Sequence, residues 1–193
     1  PIICVTESPE RIIYMYYMFL ANGFEITEAM APLDVMRRAG LDVQTVGVSG
    51  AQVQSSNGVT VQPDIDISQL SYDAVEGAIL PGGMPGTRNL QADARVTDCV
   101  RFCFENGKLV AAICAAPAVL GGLGILQGKK ATCFPGFEKE LTGADCTGAF
   151  VETDGAVITA RGAGCSLSFG HAIVSFACSR EAADKVLSDM QCS

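Results

Sequence analysis

Positive charge is scarce in this sequence, and the shortage excludes one class of partner. The 193 residues contain 13 Lys and Arg against 21 Asp and Glu, so the formal net charge at pH 7 is −8. Proteins that bind the phosphate backbone of nucleic acids normally carry a basic patch. We therefore expect no nucleic acid partner. Beyond that, the negative net charge bears on solubility more than on function.

Long apolar runs and paired cysteine motifs are also missing. No apolar run approaches the roughly 20 residues of a membrane span, and IIYMYYMFLA lacks the basic start and the cleavage site of a signal peptide. The nine cysteines are odd in number and contain no C-x-x-C pair, which fits neither a disulfide framework nor a zinc site. The sequence therefore predicts reduced thiols, no metal or other cofactor, no membrane association and a cytoplasmic location.

The composition favours a single folded domain. Hydrophobic residues make up 49% of the chain and charged residues 18%, which excludes extensive disorder, and the length suits one domain with a substantial core. Residues 1–11, PIICVTESPER, precede the first predicted strand and are interpreted as an N-terminal extension. Residues 12–193 are predicted to form the domain.

Four apolar runs are typical of strands that are covered on both faces. They are residues 12–20 (IIYMYYMFL), 41–48 (LDVQTVGV), 74–80 (AVEGAIL) and 108–113 (KLVAAI). Between and after them we predict a helix that ends at MRRAG, a helix over 93–106 capped by Asp93, a helix over APAVLGGLG, and a last helix from near Gly164 through HAIVSFA. Cys99 and Cys103 are interpreted as small core residues on one face of the second helix.

Strands that alternate with single helices predict the fold class. Such a pattern implies right-handed crossovers, hence an α/β fold with a doubly wound, mostly parallel sheet sandwiched by helices. Asn57-Gly58 and Asp154-Gly155 indicate hairpins over 52–61 and 150–160. Ligands bind such sheets beyond the carboxyl ends of the strands. Three segments end there: NGFEITE after the first strand, PGGMPG after the third, and Cys114 after the fourth.

Cys114 stands where a buried strand turns into a helix, in the frame Ala-Ile-Cys-Ala-Ala. This is the position of a nucleophile elbow, although the usual G-x-S-x-G signature is absent. The dipole of the following helix, predicted over 115–123, favours a thiolate and would lower the pKa of the thiol. A buried inert cysteine is the alternative, and position alone leaves both open.

Glu28 and the pair Gly82-Gly83 are the other candidates at this edge. Paired glycines after a strand free backbone N–H groups for an oxyanion, or simply form a tight turn. Pro32 cannot donate to the carbonyl of residue 28, so we predict that the regular helix begins near Pro32. Glu28 would then lie in an irregular lead-in, either as a general acid/base beside the thiol or as a solvated charge.

The chain contains one histidine, His171, so only this residue could serve as the base of a hydrolytic cysteine triad. A Cys-His-Asp triad needs a base beside the thiol. His171 lies inside the last predicted helix, where nothing places it at the strand ends, and the residue after Cys114 is Ala115. A conventional cysteine protease is therefore disfavoured.

Four stretches together resemble the ThiJ/PfpI superfamily, in the branch of the parkinsonism-associated protein deglycase and its bacterial relatives. They are FLANGFEITEAMAPLDVMRRAG, AVEGAILPGGMPGTRNL, KLVAAICAAPAVLGGLGILQGKKATCFPGFEKEL and GAVITARGAGCSLSFGHAIV. The resemblance implies a flavodoxin-like sandwich, that is, one domain of the class I glutamine amidotransferase-like type, usually present as a homodimer. It also implies a reactive cysteine on the elbow.

The resemblance also assigns roles to particular residues. Cys114 looks like the family nucleophile and Glu28 like the glutamate that hydrogen-bonds it, while Gly82, Gly83 and the Ala115 N–H look like the oxyanion pocket. Further contacts follow by position: Arg38 toward the partner's site in a dimer, and Phe134 and Pro135 at the substrate pocket.

The sequence departs from the family at three places. Protease-like members carry His where this chain has Ala115, and the deglycase carries His where this chain has Phe134. The family motif Gly-Pro-Gly-Thr reads Gly162-Ala163-Gly164-Cys165, which suggests a looser turn. Without either histidine, any activity has to depend on the pair Cys114 and Glu28.

Three functions follow from the resemblance. The first is a glutathione-independent glyoxalase or deglycase that acts on methylglyoxal-like 2-oxoaldehydes or their adducts, with a small aldehyde as partner. The second is a redox-sensing stress protein or chaperone in which Cys114 oxidises and a protonated Glu28 hydrogen-bonds the product. The third, a protease, an amidase or a thiamine-related hydrolase, is disfavoured by the missing histidine.

Overall fold

The apolar runs form the strands of a central sheet, as predicted. The protein is represented by a computed structural model that describes residues 14–192. The strands are β1 Met15–Leu20, β2 Asp42–Gly47, β3 Val53–Gln54, β4 Thr60–Val61, β5 Ile65–Asp66, β6 Val75–Leu80, β7 Leu109–Ile113, β8 Lys130–Ala131, β9 Asp145–Cys146, β10 Val151–Asp154 and β11 Val157–Ala160. The helices are α1 Ile26–Arg38, α2 Gly86–Ala92, α3 Ala94–Glu105, α4 Pro117–Gly122, α5 Ser166–Ala177 and α6 Arg180–Asp189.

Seven of these strands form one sheet in the order β10-β11-β7-β6-β1-β2-β5. Its neighbouring strands pair in parallel, except for the antiparallel pair β10 and β11. One face packs against α2, α3 and α4, and the other against α1, α5 and α6. The prediction of a doubly wound, mostly parallel sheet sandwiched by helices is therefore confirmed.

Both predicted hairpins are present. β3 and β4 pair in antiparallel fashion around Asn57-Gly58, and β10 and β11 do so around Asp154-Gly155. Cys99 and Cys103 are fully buried on α3, as predicted, and the hydrogen bond between the two thiols and their burial raise the pKa of Cys99. Two helices, α2 and α6, were not predicted from the sequence.

The predicted start of α1 near Pro32 is wrong, because the helix begins at Ile26. The side chain of Glu25 caps it by accepting the Glu28 N–H at 2.7 Å. Pro32 lies inside the helix and is buried against α5, where its Cα would be 3.0 Å from a Cβ on Gly170. The cap and this packing offset the hydrogen bond that proline cannot make, and Glu28 consequently lies in a regular first turn.

Residues 1–11, interpreted as an N-terminal extension, lie outside the described residues. Within residues 14–192, no helix is long and apolar enough to cross a membrane.

Candidate active site

Cys114 occupies a strained turn directly after β7. Its φ is 65°, in the left-handed region that residues with a side chain rarely adopt. Two hydrogen bonds hold this turn: the Cys114 N–H donates to Ala160 at 2.8 Å, and the Cys114 carbonyl accepts from the Phe134 N–H at 2.8 Å. The side chain is half-buried. The strand-to-helix elbow that the sequence indicated is thus present.

Glu28 lies beside this elbow and is buried. Its side chain is 1% exposed, and Oε2 accepts the Gly82 N–H at 3.0 Å. The carboxylate also hydrogen-bonds the Cys114 thiol and the backbone of Ala163. Glu28 is therefore the carboxylate in direct contact with the thiol. The alternative interpretation of Glu28 as a solvated charge is wrong.

The two glycines after β6 have different roles. The Gly82 N–H donates to Glu28, so it is not the free oxyanion donor that the family resemblance implied. The backbone of Gly83 and that of Ala115 hydrogen-bond the Cys114 sulfur instead. Gly83 has φ +90°, and a Cβ there would lie 2.6 Å from the carbonyl oxygen of Gly23, so only glycine fits. Two backbone donors thus converge on the sulfur.

Gly82 also has no room for a side chain. A Cβ there would lie 2.6 Å from Glu28 Oε2, 2.7 Å from Cys114 Cβ and 2.8 Å from the Ile113 carbonyl oxygen. The missing side chain of Gly82 is what lets the carboxylate and the thiol approach one another.

Gly82→Ala is therefore expected to push the carboxylate and the thiol apart. Because overpacking typically costs about 1–3 kcal/mol, the free energy of unfolding should fall by that amount in urea denaturation. The matched control is Gly164→Ala, since nothing lies within 4 Å of a Cβ at Gly164. Equal stability of the two variants would contradict this account of Gly82.

Burial controls the protonation of the pair. It raises the pKa of Glu28 to about 7, and the charge of Glu25 adds to this, while the hydrogen bonds from Cys114, Gly82 and Ala163 oppose it. Burial and the negative charge of Glu28 raise the pKa of the Cys114 thiol to about 12. Above about pH 7 the pair therefore holds one proton. The thiol carries this proton and donates a hydrogen bond to the carboxylate.

The predicted lowering of the thiol pKa by a helix dipole is wrong. α4 begins at Pro117, three residues after the cysteine, and is only six residues long, so its dipole is small. The half-buried thiol lies beside a carboxylate, and the loss of solvent and the negative charge of Glu28 both disfavour an isolated thiolate. A proton on Glu28 would remove that repulsion and make the carboxyl a third donor toward the sulfur.

Phe134 and Pro135 line a cleft of about 390 Å³ together with Arg161 and residues 162–165. The cleft adjoins the elbow because the Phe134 N–H bonds the Cys114 carbonyl. Ala163–Cys165 form a 3-10 helix, and the backbone of Ala163 reaches Glu28. In the sequence this segment stood out only as a departure from a family motif. Its place directly after β11, at the same sheet edge as Cys114, is the signal that would have identified it.

Arg38 and His171 lie away from the elbow. Arg38 ends α1, ten residues after Glu28 and thus about 15 Å along the helix axis; its Nε donates to Asp34 at 2.8 Å. His171 on α5 contacts Asp184 on α6 at 2.6 Å. The interpretation of His171 as a helix residue outside the site is confirmed, and the described chain contains no thiol–histidine pair at the elbow. Between residues 14 and 192, no group of three or more His, Cys, Asp and Glu could hold a metal ion.

Comparisons with known proteins cover most of the chain. Residues 16–176 match the DJ-1/PfpI family. The Parkinson disease protein 7 homolog of Danio rerio is 38% identical over 165 residues, which cover 81% of this chain and 86% of that protein. Protein DJ-1 homolog A of Arabidopsis thaliana is 36% identical over 174 residues, 88% of this chain. The chain spans less than half the length of that relative and of DJ-1 homolog B from the same plant.

Solved structures and an archaeal protein match as well. The structure of oxidized Toxoplasma gondii DJ-1 superposes with a TM-score of 0.88 at 30% identity and covers 92% of this chain and 98% of that one. A Pyrococcus horikoshii protein named Deglycase PH1704 is 28% identical over 150 residues, 76% of this chain and 90% of that protein.

Proposed function

Because the chain belongs to the DJ-1/PfpI family, we propose that it is a cysteine-dependent, glutathione-independent glyoxalase or deglycase. Its substrates are methylglyoxal-like 2-oxoaldehydes or the adducts they form. The observation that carries this proposal is the buried Glu28 carboxylate in contact with Cys114 at the elbow. Relatives from two Pyrococcus species are named deglycases, which supports the reaction class.

The first step is addition of the thiol to the aldehyde. The Cys114 sulfur attacks the aldehyde carbon, a C–S bond forms, and the carbonyl π electrons move onto oxygen. Glu28 accepts the thiol proton, for which a pKa of about 7 is well suited. The N–H groups of Gly83 and Ala115, which face the sulfur, stabilise the oxyanion. Glu28 then returns the proton to that oxygen and leaves a neutral hemithioacetal.

The second step moves a proton between the two carbons of the substrate. Glu28 removes the proton from the carbon bonded to sulfur, which gives an enediolate, and delivers it to the neighbouring carbon. The hydroxyl proton of the first carbon passes to the oxygen of the second, so the first carbon becomes a carbonyl. The product is a thioester of a 2-hydroxy acid on Cys114. Water hydrolyses this thioester and restores the thiol. The sum is a 2-oxoaldehyde plus water giving a 2-hydroxy acid, so no external oxidant or reductant is consumed.

The direct test of this function is the lactate that wild-type protein forms from methylglyoxal without glutathione and in the presence of a chelator. Lactate formation above the protein-free rate supports the proposal. Absence of lactate from folded protein whose Cys114 still reacts with iodoacetamide would contradict it.

A redox sensor is the second candidate. A half-buried Cys114 beside a carboxyl that titrates near pH 7 could hold a sulfinate by a hydrogen bond from protonated Glu28, and the Toxoplasma relative has been solved in an oxidized form. Oxidation begins at the thiolate, however, and the raised pKa of Cys114 opposes it. Peroxide oxidation of Cys114 without any lactate formation would favour this candidate.

We also propose that the chain forms a homodimer in which Arg38 contacts the partner's site. In its own chain the Arg38 side chain is half exposed and bonds only Asp34 among the described residues.

The single domain over 12–193 and the cytoplasmic location stay predictions. The hydrolase remains disfavoured because His171 lies away from the elbow.

A further inference from the structure

Arg161 lies beside the candidate active site, at the same sheet edge as Cys114. It follows β11 directly, and the carbonyl of the preceding residue, Ala160, accepts the Cys114 N–H at 2.8 Å. Its own N–H donates to Phe150 at 2.9 Å, which fixes the backbone there. Arg161 lines the cleft beside the elbow and also a neighbouring cleft of about 280 Å³. Arg161 therefore lines two clefts, one of which adjoins the elbow through Phe134.

Arg161 forms no ion pair with a carboxylate among residues 14–192. Of the 13 Lys and Arg, all but Arg11 are described, and eight of these form ion pairs within 4.0 Å. The four without an ion pair among residues 14–192 are Arg101, Lys130, Lys139 and Arg161. Arg161 is the member of this set that lines a cleft at the elbow.

A cation without an ion pair bears directly on whether this acidic chain can bind an anionic substrate. The net charge is −8, and Glu25 and Glu28 stand at the site itself, so an anion is repelled on approach. A guanidinium presents a planar fork that matches a carboxylate with two hydrogen bonds. Glu138 lines the neighbouring cleft with Arg161, but no carboxylate of residues 14–192 lies within 4.0 Å of the charged nitrogens of Arg161. The guanidinium is therefore free to bind a carboxylate from the substrate.

We propose that Arg161 binds a carboxylate of the substrate, so that the preferred substrates are 2-oxoaldehydes that carry a carboxylate. This inference rests on the proposed function. The aldehyde carbon reaches Cys114 while the carboxylate lies against Arg161 at the other side of the cleft. The reaction is unchanged: 4,5-dioxovalerate plus water gives 2-hydroxyglutarate, with the aldehyde carbon oxidised to a carboxyl group and the neighbouring ketone reduced to an alcohol.

The first experiment compares kcat/KM for 4,5-dioxovalerate with kcat/KM for methylglyoxal. We expect wild type to prefer the carboxylated substrate, and Arg161→Gln to reduce that preference about ten- to a hundredfold, as the loss of a hydrogen bond to a charged group implies. The matched control is Arg101→Gln, which removes an unpaired arginine from α3, away from the cleft. An unchanged preference in Arg161→Gln, or an equal loss on both substrates, would overturn the inference.

A second experiment does not need turnover. Alkylation of Cys114 by anionic iodoacetate and by neutral iodoacetamide is followed by peptide mapping in wild type, Arg161→Gln, Arg161→Lys and the control Arg101→Gln. We expect Arg161→Gln alone to lower the iodoacetate-to-iodoacetamide rate ratio, and Arg161→Lys, which keeps the charge, to retain most of it. A lowered ratio without turnover of any aldehyde would uphold the Arg161 site and reject the proposed function. Turnover with an unaffected ratio and substrate preference would reject the Arg161 site alone.

Discussion

Cys114→Ala is expected to lower lactate formation from methylglyoxal by about three orders of magnitude or more. The sulfur forms the covalent bond that carries the substrate through both steps, and a methyl group cannot replace it. Alanine has the same Cβ as cysteine, so the strain of the left-handed turn at φ 65° is unchanged and the fold should persist. The measurement is the lactate rate, with thermal unfolding as the check on folding.

Cys178→Ala is the matched control for this variant. Cys178 is exposed and follows α5, so its removal deletes a thiol that solvent reaches without touching the elbow. We expect it to keep the wild-type rate. If Cys114→Ala also keeps that rate, the lactate comes from chemistry outside the elbow and the mechanism fails.

Glu28→Gln is expected to lower the same rate about a hundred- to ten-thousandfold, the range typical for loss of a general acid/base. The amide has the shape of the carboxylate, and its oxygen still accepts the Gly82 N–H, so the site keeps its geometry. It cannot take the thiol proton or carry a proton between the substrate carbons. The lactate rate of a folded variant whose Cys114 thiol is intact measures this loss.

Glu25→Gln separates this role from a general effect of charge. Glu25 caps α1 through the Glu28 N–H, and a glutamine oxygen can still accept that bond. The charge of Glu25 contributes to the raised pKa of Glu28, so the variant should keep its rate at pH 8 and titrate at a lower pH. Equal losses in the two variants would argue against a specific role for Glu28.

The elbow could be predicted because its position depends on local pattern. A continuous apolar run ends at Cys114 and a helix follows, which is enough to place the cysteine at the carboxyl edge of a parallel sheet. The four sequence stretches also indicated the family correctly, as the match over residues 16–176 confirms. The residue pattern left the pairing of Cys114 with Glu28 as one of two alternatives, since neighbours across a sheet depend on tertiary packing, and the resemblance favoured it.

Most of the errors have physical causes that a local pattern does not contain. Pro32 argues for a late helix start, yet packing against α5 and the Glu25 cap outweigh its missing hydrogen bond. α2 was missed because it follows a loop rich in glycine and proline. Ser179, which caps α6 by accepting the Ala182 N–H, was a usable signal for that helix. The position of Ala163 beside Glu28 depends on how the segment after β11 meets the first turn of α1, and no sequence spacing encodes it.

The pH dependence of kcat/KM tests the central claim most directly, namely that Cys114 and Glu28 work as a pair that holds one proton. Below about pH 7 the pair holds two protons and Glu28 cannot accept another. We therefore predict that kcat/KM rises as the pH increases through about 7, and that this rise persists in His171→Gln, which removes the chain's one histidine. In Glu28→Gln the residual activity should lack the rise. A rise near pH 7 that survives in Glu28→Gln, or a flat profile in wild type, would contradict the account.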